Sequence, residues 1–445
     1  MRILLITDEE WNDAVFGNNV LTNWFSGFNA EFAQIYCSPG LPYNSICERY
    51  YQITDSQMFR SLFPLGKKAG GPICKPKTKE EIDDSKRNAQ RRGVYRLLKQ
   101  VSLYLHTPMM MVRDVIWKWG RYDINSLIHF VLDFNPDVVF CPRMVTPKLM
   151  RLEKIVSKTT DAPFVAFTAD NEASMNHYSW SPLFWLRACM IHRSFGEHVK
   201  LYKHYFMFSE EQAQDYHRQY GLQTSTLFKC GEFNEAGESK TIHSPIRMVY
   251  AGRLYCNRWK TLAAIGRALE RVNHDGVKMI LDVFTADGLT KGQKRAFAGL
   301  NYLHVNPAIS PSQLVDEYRK ADIALHVESF DKRNRAATRY SFSTKIIDLM
   351  ASSCAILAIC WDHHAGYQYL KDHDAAFCVS SFDDIQPMLE TIYQNPALIE
   401  EYAEKALKCG RTNHSKERIQ DQIRTTFESV IAKYSLSNRK EYNMS

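Results

Sequence analysis

Residues 247–260 read Arg247-Met248-Val249-Tyr250-Ala251-Gly252-Arg253-Leu254-Tyr255-Cys256-Asn257-Arg258-Trp259-Lys260, and a helix-patterned stretch, Thr261–Arg271, follows directly. A short apolar run that breaks at small residues and then passes cations on its way into a helix reads as one strand–loop–helix unit. Gly252 has no Cβ and lets backbone approach a ligand, while the helix start contributes partial positive charge. Arg253 and Lys260 add two cations that match phosphate oxygens. The stretch therefore reads as a diphosphate site, with an ordinary turn carrying surface cations as the competing reading.

The same rhythm extends outward in both directions. Downstream, Val277–Phe284, Asn301–Asn306, Ile323–Val327, Ala355–Ile359 and Ala376–Val379 read as strands, with helices over Ser312–Lys320 and from Ser343 onward. Upstream, Arg2–Thr7, Phe32–Tyr36, Val138–Phe140, Pro163–Thr168 and Tyr205–Phe208 read as strands, and Asn125–Phe134 and Pro147–Ser157 as helices. Ser38 to Gly93 reads as a long irregular region. Alternation of short apolar runs with helical stretches is the signature of parallel sheets covered by helices. The fold class expected is α/β, with two Rossmann-like domains facing across a cleft. At 445 residues the chain exceeds what one core supports. The expected domains are 1–235, with a basic flexible insert at about 66–93, then 236–420, then a helix and tail over 421–445 that packs back on the first domain.

Several classes are excluded. The apolar run at Ile3–Ile6 is too short for a signal peptide, and no stretch approaches the roughly 18 residues that cross a bilayer. The eleven cysteines are odd in number and lack any CxxC spacing, which argues for a reducing, cytoplasmic setting rather than a disulfide framework or zinc site. The 15 histidines offer no metal cluster by spacing, so no metal is expected. Between Lys67 and Arg121 stand fourteen Lys or Arg against five Asp or Glu. No RNP pattern or zinc-finger spacing accompanies this charge, so nucleic acid is not the expected partner. Arg91–Lys99, followed by Met109–Val112, Trp117, Lys118 and Trp119, has the basic and apolar content of an interfacial helix. It suggests an anionic membrane surface at the inner face, with packing inside the first domain as the alternative.

A second constellation lies between Ala321 and Leu357. Glu328 ends a strand, a polar insert runs from Asp331 to Arg339, and Ser343 and Thr344 open a helix that carries Asp348 about one turn later. Hydroxyls and free amides at a helix start suit phosphate, and a nearby carboxylate suits ribose hydroxyls.

Together these segments resemble the C-terminal half of retaining GT-B glycosyltransferases, in the large group that holds sucrose synthases and bacterial mannosyl- and glycan-assembly transferases. The resemblance implies donor-diphosphate contacts by Arg253 and Lys260, a sugar contact by Glu328, and donor contacts by Ser343, Thr344 and Asp348. In the first half, Gly17 resembles the glycine loop near the donor phosphate, and Asp170 an acid near the reacting sugar. The implied activity is sugar transfer, with retention, from a nucleotide-diphosphate sugar to a hydroxyl acceptor, without cofactor or metal. A glycan or lipid-linked acceptor in surface polysaccharide or glycoconjugate assembly is expected. Four features depart from the group. Asp348 replaces a Glu, 20 residues separate it from Glu328, Ser352-Ser353-Cys354 stands in place of a glycine turn, and Ala169 replaces the His before Asp170. They keep two alternatives open, a non-catalytic scaffold subunit and a sugar-nucleotide epimerase.

Overall fold

The computed structural model describes residues 1–14, 20–76, 106–142, 145–169, 173–175, 178–233 and 241–442, with side chains to residue 436. The chain divides into two units, Met1–Leu227 with Gln420–Ser445, and Phe228–Ile419.

The first unit is built on β1 (Arg2–Thr7), β2 (Glu31–Tyr36), β3 (Arg49–Gln52), β4 (Gly71–Ile73), β5 (Val138–Pro142), β6 (Phe164–Thr168), β7 (Tyr202–Met207) and β8 (Thr224–Thr226). They form one sheet in the order β4-β3-β2-β1-β5-β6-β7-β8. Only the β3–β4 pair is antiparallel. Central β1 is paired on both edges and buried along Ile3–Thr7, which is why it reads as an unbroken apolar run rather than an alternating one. β3 and β4 fall inside the stretch that the sequence suggested was irregular. β3 is four residues long, too short to display a period, yet Tyr50 and Tyr51 anchor it in the core.

Around this sheet lie α1 (Val20–Phe25), α2 (Asp55–Ser61), α3 (His106–Trp119), α4 (Ile124–Phe134), α5 (Pro147–Val156), α6 (Pro182–His198) and α7 (Glu210–Tyr220). α7 stops at Gly221, whose φ of 67° is left-handed and cheap only for glycine.

The second unit holds β9 (Ile246–Ala251), β10 (Met279–Thr285), β11 (Leu303–Pro307), β12 (Ile323–Val327), β13 (Ala355–Ile359) and β14 (Phe377–Val379). Its helices are α8 (Arg258–Val272), α9 (Lys291–Phe297), α10 (Pro311–Arg319), α11 (Lys332–Thr338), α12 (Lys345–Met350), α13 (Ala365–Asp372), α14 (Ile385–Gln394) and α15 (Ala397–His414). The strands are all parallel, in the order β11-β10-β9-β12-β13-β14. The chain thus builds outward from β9 in one direction, then returns to build from its other edge. A last helix, α16 (Lys416–Tyr442), enters the first unit from Gln420 onward. There the Gln420 side chain donates to the carbonyls of Trp24 and Ser26 at 2.8 and 2.9 Å, and Phe427 meets Phe140 with ring centroids 5.3 Å apart.

Candidate functional site

In an open α/β sheet, ligands settle outside the carboxyl ends of the strands, where the strand order reverses. In the second unit that point is the β9–β12 pair. The two strands pair only at Ile323 with Met248 and Ala324 with Val249, although both continue further. Beyond these positions they part, and the residues that follow each strand, Gly252–Lys260 and Glu328–Asp331, flank the opening.

Arg258 fills the gap between them. Its Nε donates to Glu328 Oε2 at 3.0 Å and its Nη2 to Glu328 Oε1 at 2.5 Å. Glu328 is almost wholly buried, its side chain 3% exposed against 13% for Arg258. Burial pulls the guanidinium pKa down, but the Glu328 charge and hydrogen bonds outweigh it and leave it above its ordinary value. The Thr261 hydroxyl donates to the Glu328 carbonyl at 2.8 Å, which fixes the start of α8 to the end of β12. Two successive left-handed residues, Cys256 (φ 54°) and Asn257 (φ 60°), turn the chain sharply into α8, and Asn334 braces them by donating to the Cys256 carbonyl at 2.8 Å.

The two cations singled out in the sequence stand on either side, and each faces an acid. Arg253 is exposed and its Nε donates to Asp287 at 3.2 Å, while the Leu254 amide donates to the same carboxylate at 2.6 Å. Lys260 donates to both Asp331 oxygens, at 3.2 and 3.0 Å. Burial raises the Asp331 pKa, but hydrogen bonds from Lys260 and Asn257 win and hold it below the usual carboxylate range. An anionic ligand here would exchange with, or share, these acids.

Gly252 serves differently from the sequence expectation. Its amide already donates to the Phe284 carbonyl at 2.9 Å, so it is committed to the sheet. A Cβ built on it would lie 2.6 Å from Lys345 Nζ and 2.9 Å from the Tyr250 hydroxyl. The missing side chain makes room for Lys345, whose ammonium donates to the Ala251 carbonyl at 3.0 Å. Desolvation, then repulsion from Arg258, lowers the Lys345 pKa although the residue as a whole is exposed. The sequence singled out neither Arg258 nor Lys345. The clue to Arg258 was a third cation at the same helix start; Lys345 stands 94 residues from its partner and had no local signal.

Ser343 and Thr344 precede α12, which packs on β12 and β13 beside the same strand ends. Thr344 has helical backbone angles and makes no side-chain cap hydrogen bond. Asp348 is half-exposed and accepts from Lys229 Nζ at 2.7 Å. Gly17 and Asp170 lie outside the described residues.

Spacing offered no histidine cluster, yet His326, Cys360 and His364 place one ligating atom each within 4.8 Å of one another, all three buried. They come from β12, the residue after β13 and the start of α13, a proximity that the histidine spacing did not show.

The family model described as "Glycosyl transferase-like" matches residues 252–425, the stretch that carries this geometry. No curated protein sequence matches the chain. Among solved structures, the trehalose-6-phosphate protein from E. coli bound with UDP-2-fluoro glucose is 10% identical, with a TM-score of 0.59, over 96% of this chain and 99% of its own. HepE from Anabaena, in complex with UDP, is 11% identical with a TM-score of 0.59 over 96% of this chain and 100% of its own. The fold is that of the GT-B glycosyltransferases. The pneumococcal O-GlcNAc transferase GtfA, in complex with UDP and GlcNAc, is also similar, at 13% identity and a TM-score of 0.51. That likeness covers 70% of this chain and spans only 61% of GtfA.

Proposed function

We propose that this chain transfers a sugar, with retention of configuration, from a nucleotide-diphosphate sugar to a hydroxyl acceptor. The observation that carries the reading is that Arg253, Arg258, Lys260 and Lys345 all stand at the point where β9 and β12 part, with Lys345 in the space that Gly252 leaves. Four cations beside a helix start can neutralise a leaving diphosphate, the charge-stabilising task of such a reaction, in place of a divalent metal. Arg253 and Lys260 would hand their acids over to the phosphates. Ser343 and Thr344 would add hydroxyls, Asp348 would accept from ribose, and Glu328 would use the lone pairs that Arg258 leaves unoccupied to hold the sugar. Gly17 is assigned to the loop near the donor phosphate, and Asp170 to the reacting sugar, acting in transfer rather than in donor binding. A leaving phosphate oxygen that takes the acceptor proton on the same face would give retention. Because the similar structures named above carry UDP or a UDP-sugar, UDP-sugars are the first donors to test.

A panel of nucleotide-sugars with glycan acceptors tests this. Nucleoside diphosphate released only when acceptor is present supports the transferase. Donor binding without turnover would point to the scaffold subunit, and a donor isomerised without acceptor to the epimerase.

On the acceptor side we propose a lipid-linked glycan met at an anionic, cytoplasmic membrane face. α3 and α6, joined by an Arg187–Asp114 ion pair at 2.7 Å, expose Val112, Val115, Trp119, Leu186 and Met190 beside Lys118 and Arg193. Apolar side chains with a basic rim suit an interface, and among the described residues no helix is long and apolar enough to cross a membrane. Equal, negligible sedimentation with anionic and neutral vesicles would leave a soluble acceptor as the better reading.

A further inference from the structure

Behind Glu328 the second unit buries a second group of ligating atoms. His326 pairs with Ala358 across β12 and β13, so its side chain points to the same face as that of Cys360, two residues beyond Ala358. The chain then turns tightly, the His364 amide donating to the Trp361 carbonyl at 3.1 Å, and His364 folds back at the start of α13. The rings of His326 and His364 stand 5.7 Å apart, and Gly366 lies against both, where a Cβ would be 3.4 Å from His326 Nε2 and 3.3 Å from His364 Cε1.

The three residues are 5%, 0% and 1% exposed, so bulk water does not solvate them. His326 Nε2 and both ring nitrogens of His364 nevertheless have no hydrogen-bond partner among the described residues. Polar atoms buried in that state are costly unless something satisfies them.

We propose that His326, Cys360 and His364 bind one Zn²⁺ ion. Two imidazoles and a thiolate are the ligand set of zinc rather than of magnesium or calcium. Around tetrahedral zinc, with bonds of about 2.0–2.1 Å to nitrogen and 2.3 Å to sulfur, ligand atoms stand roughly 3.4–3.6 Å apart. The present limit of 4.8 Å closes to that with an inward shift of about 1 Å, within the reach of small side-chain rotations. On binding, the Cys360 thiol gives its proton to solvent, one Zn–S and two Zn–N bonds form, and no electron is transferred. The fourth position is left to a small ligand such as water. The ion would tie β12 to the turn after β13 and so hold the strand end that presents Glu328, two residues after His326. It lies directly behind the diphosphate group, within electrostatic reach of Glu328, Arg258 and Lys345, and the proposal does not depend on the transferase reading.

The test uses the full chain and the metal alone. After growth with added zinc and exhaustive dialysis, the protein should retain about one Zn²⁺ per chain. Metal-free protein titrated with Co²⁺ should develop thiolate-to-cobalt charge transfer and the visible bands of a tetrahedral site. Both signals should be lost in Cys360→Ala and reduced in His364→Gln, and added Zn²⁺ should raise the melting temperature of the wild type only. If Cys360→Ala does not fold, His364→Gln carries the test, because a cobalt–thiolate band left unchanged in that variant would place the metal on another of the eleven cysteines. Wild-type protein with under roughly a tenth of an equivalent of zinc and no cobalt–thiolate band would overturn the proposal. So would full zinc retention in both variants.

Discussion

Replacing Arg258 by Met keeps the length of the side chain and removes its charge. Glu328 then stays behind as a carboxylate that is 3% exposed, with its bidentate partner gone. Removing one partner of a buried ion pair costs about 3–5 kcal/mol, mostly as desolvation of the remaining charge. The 13% exposure of the Arg258 side chain gives water a route in, so the lower end, about 3 kcal/mol, is expected. At 1.4 kcal/mol per decade that is roughly a hundredfold loss of protection in native-state hydrogen exchange of peptides covering β12 and the start of α8. Adding Glu328→Gln to the same chain takes away the stranded charge. The double variant should therefore recover part of the loss, a non-additivity that a double-mutant cycle reads as at least about 1 kcal/mol of coupling. A loss below about 1 kcal/mol for Arg258→Met, or a double variant no better protected than the single one, would refute the claim that this pair holds the β9–β12 opening together.

Arg253→Ala and Lys260→Ala should each weaken nucleotide-sugar binding by about 1.5–3 kcal/mol in calorimetry with little change in melting temperature, since both cations are solvent-accessible. Asp348→Asn should reduce donor affinity far more than Asp383→Asn, because an amide offers one acceptor oxygen where a carboxylate offers two; a donor-bound structure with Asp348 turned from the ribose rejects the assignment. Gly252→Ala should displace the Lys345 ammonium, 2.6 Å from the new methyl position, and press on the buried Tyr250 hydroxyl at 2.9 Å, lowering donor affinity with some loss of melting temperature; unchanged affinity removes Lys345 from the site. Acid should destabilise the second unit through His414, whose pKa burial, then His373 and Arg418, push down to about 3. The unfolded chain takes up that proton near pH 6.5 and the folded chain only near 3, so stability is complete above about 6.5 and falls toward 3, by up to about 1.4 kcal/mol per pH unit. Urea unfolding against pH should show this slope, and His414→Gln should flatten it.

Much of the fold was legible because a parallel strand buried on both faces is a local event in the sequence. Arg2–Thr7 and Ala355–Ile359 are apolar runs bounded by polar or small residues, and each is a strand with the ends read from the sequence. Helix ends were legible for a similar reason, since Gly221 carries its own backbone preference. Strands such as Arg49–Gln52 and Thr224–Thr226 were not, because three or four residues cannot show a period and only their neighbours in the sheet make them strands.

The sequence by itself determined two successive α/β patterns and a glycine-bearing turn that runs through cations into a helix. Those properties depend on residues within one strand–loop–helix unit. Only the tertiary structure decided which residues meet, because β9 is joined to its neighbour β12 through β10, β11 and their helices rather than directly. That crossover sets Arg258 against Glu328, 70 residues on, and Lys260 against Asp331, 71 residues on. It brings Lys345 into the space that Gly252 leaves, and His326 to Cys360 and His364. The range of the interaction is the physical reason. Hydrophobic periodicity is written along the chain, whereas charge pairing and ligand geometry are set by the order in which the strands lie side by side.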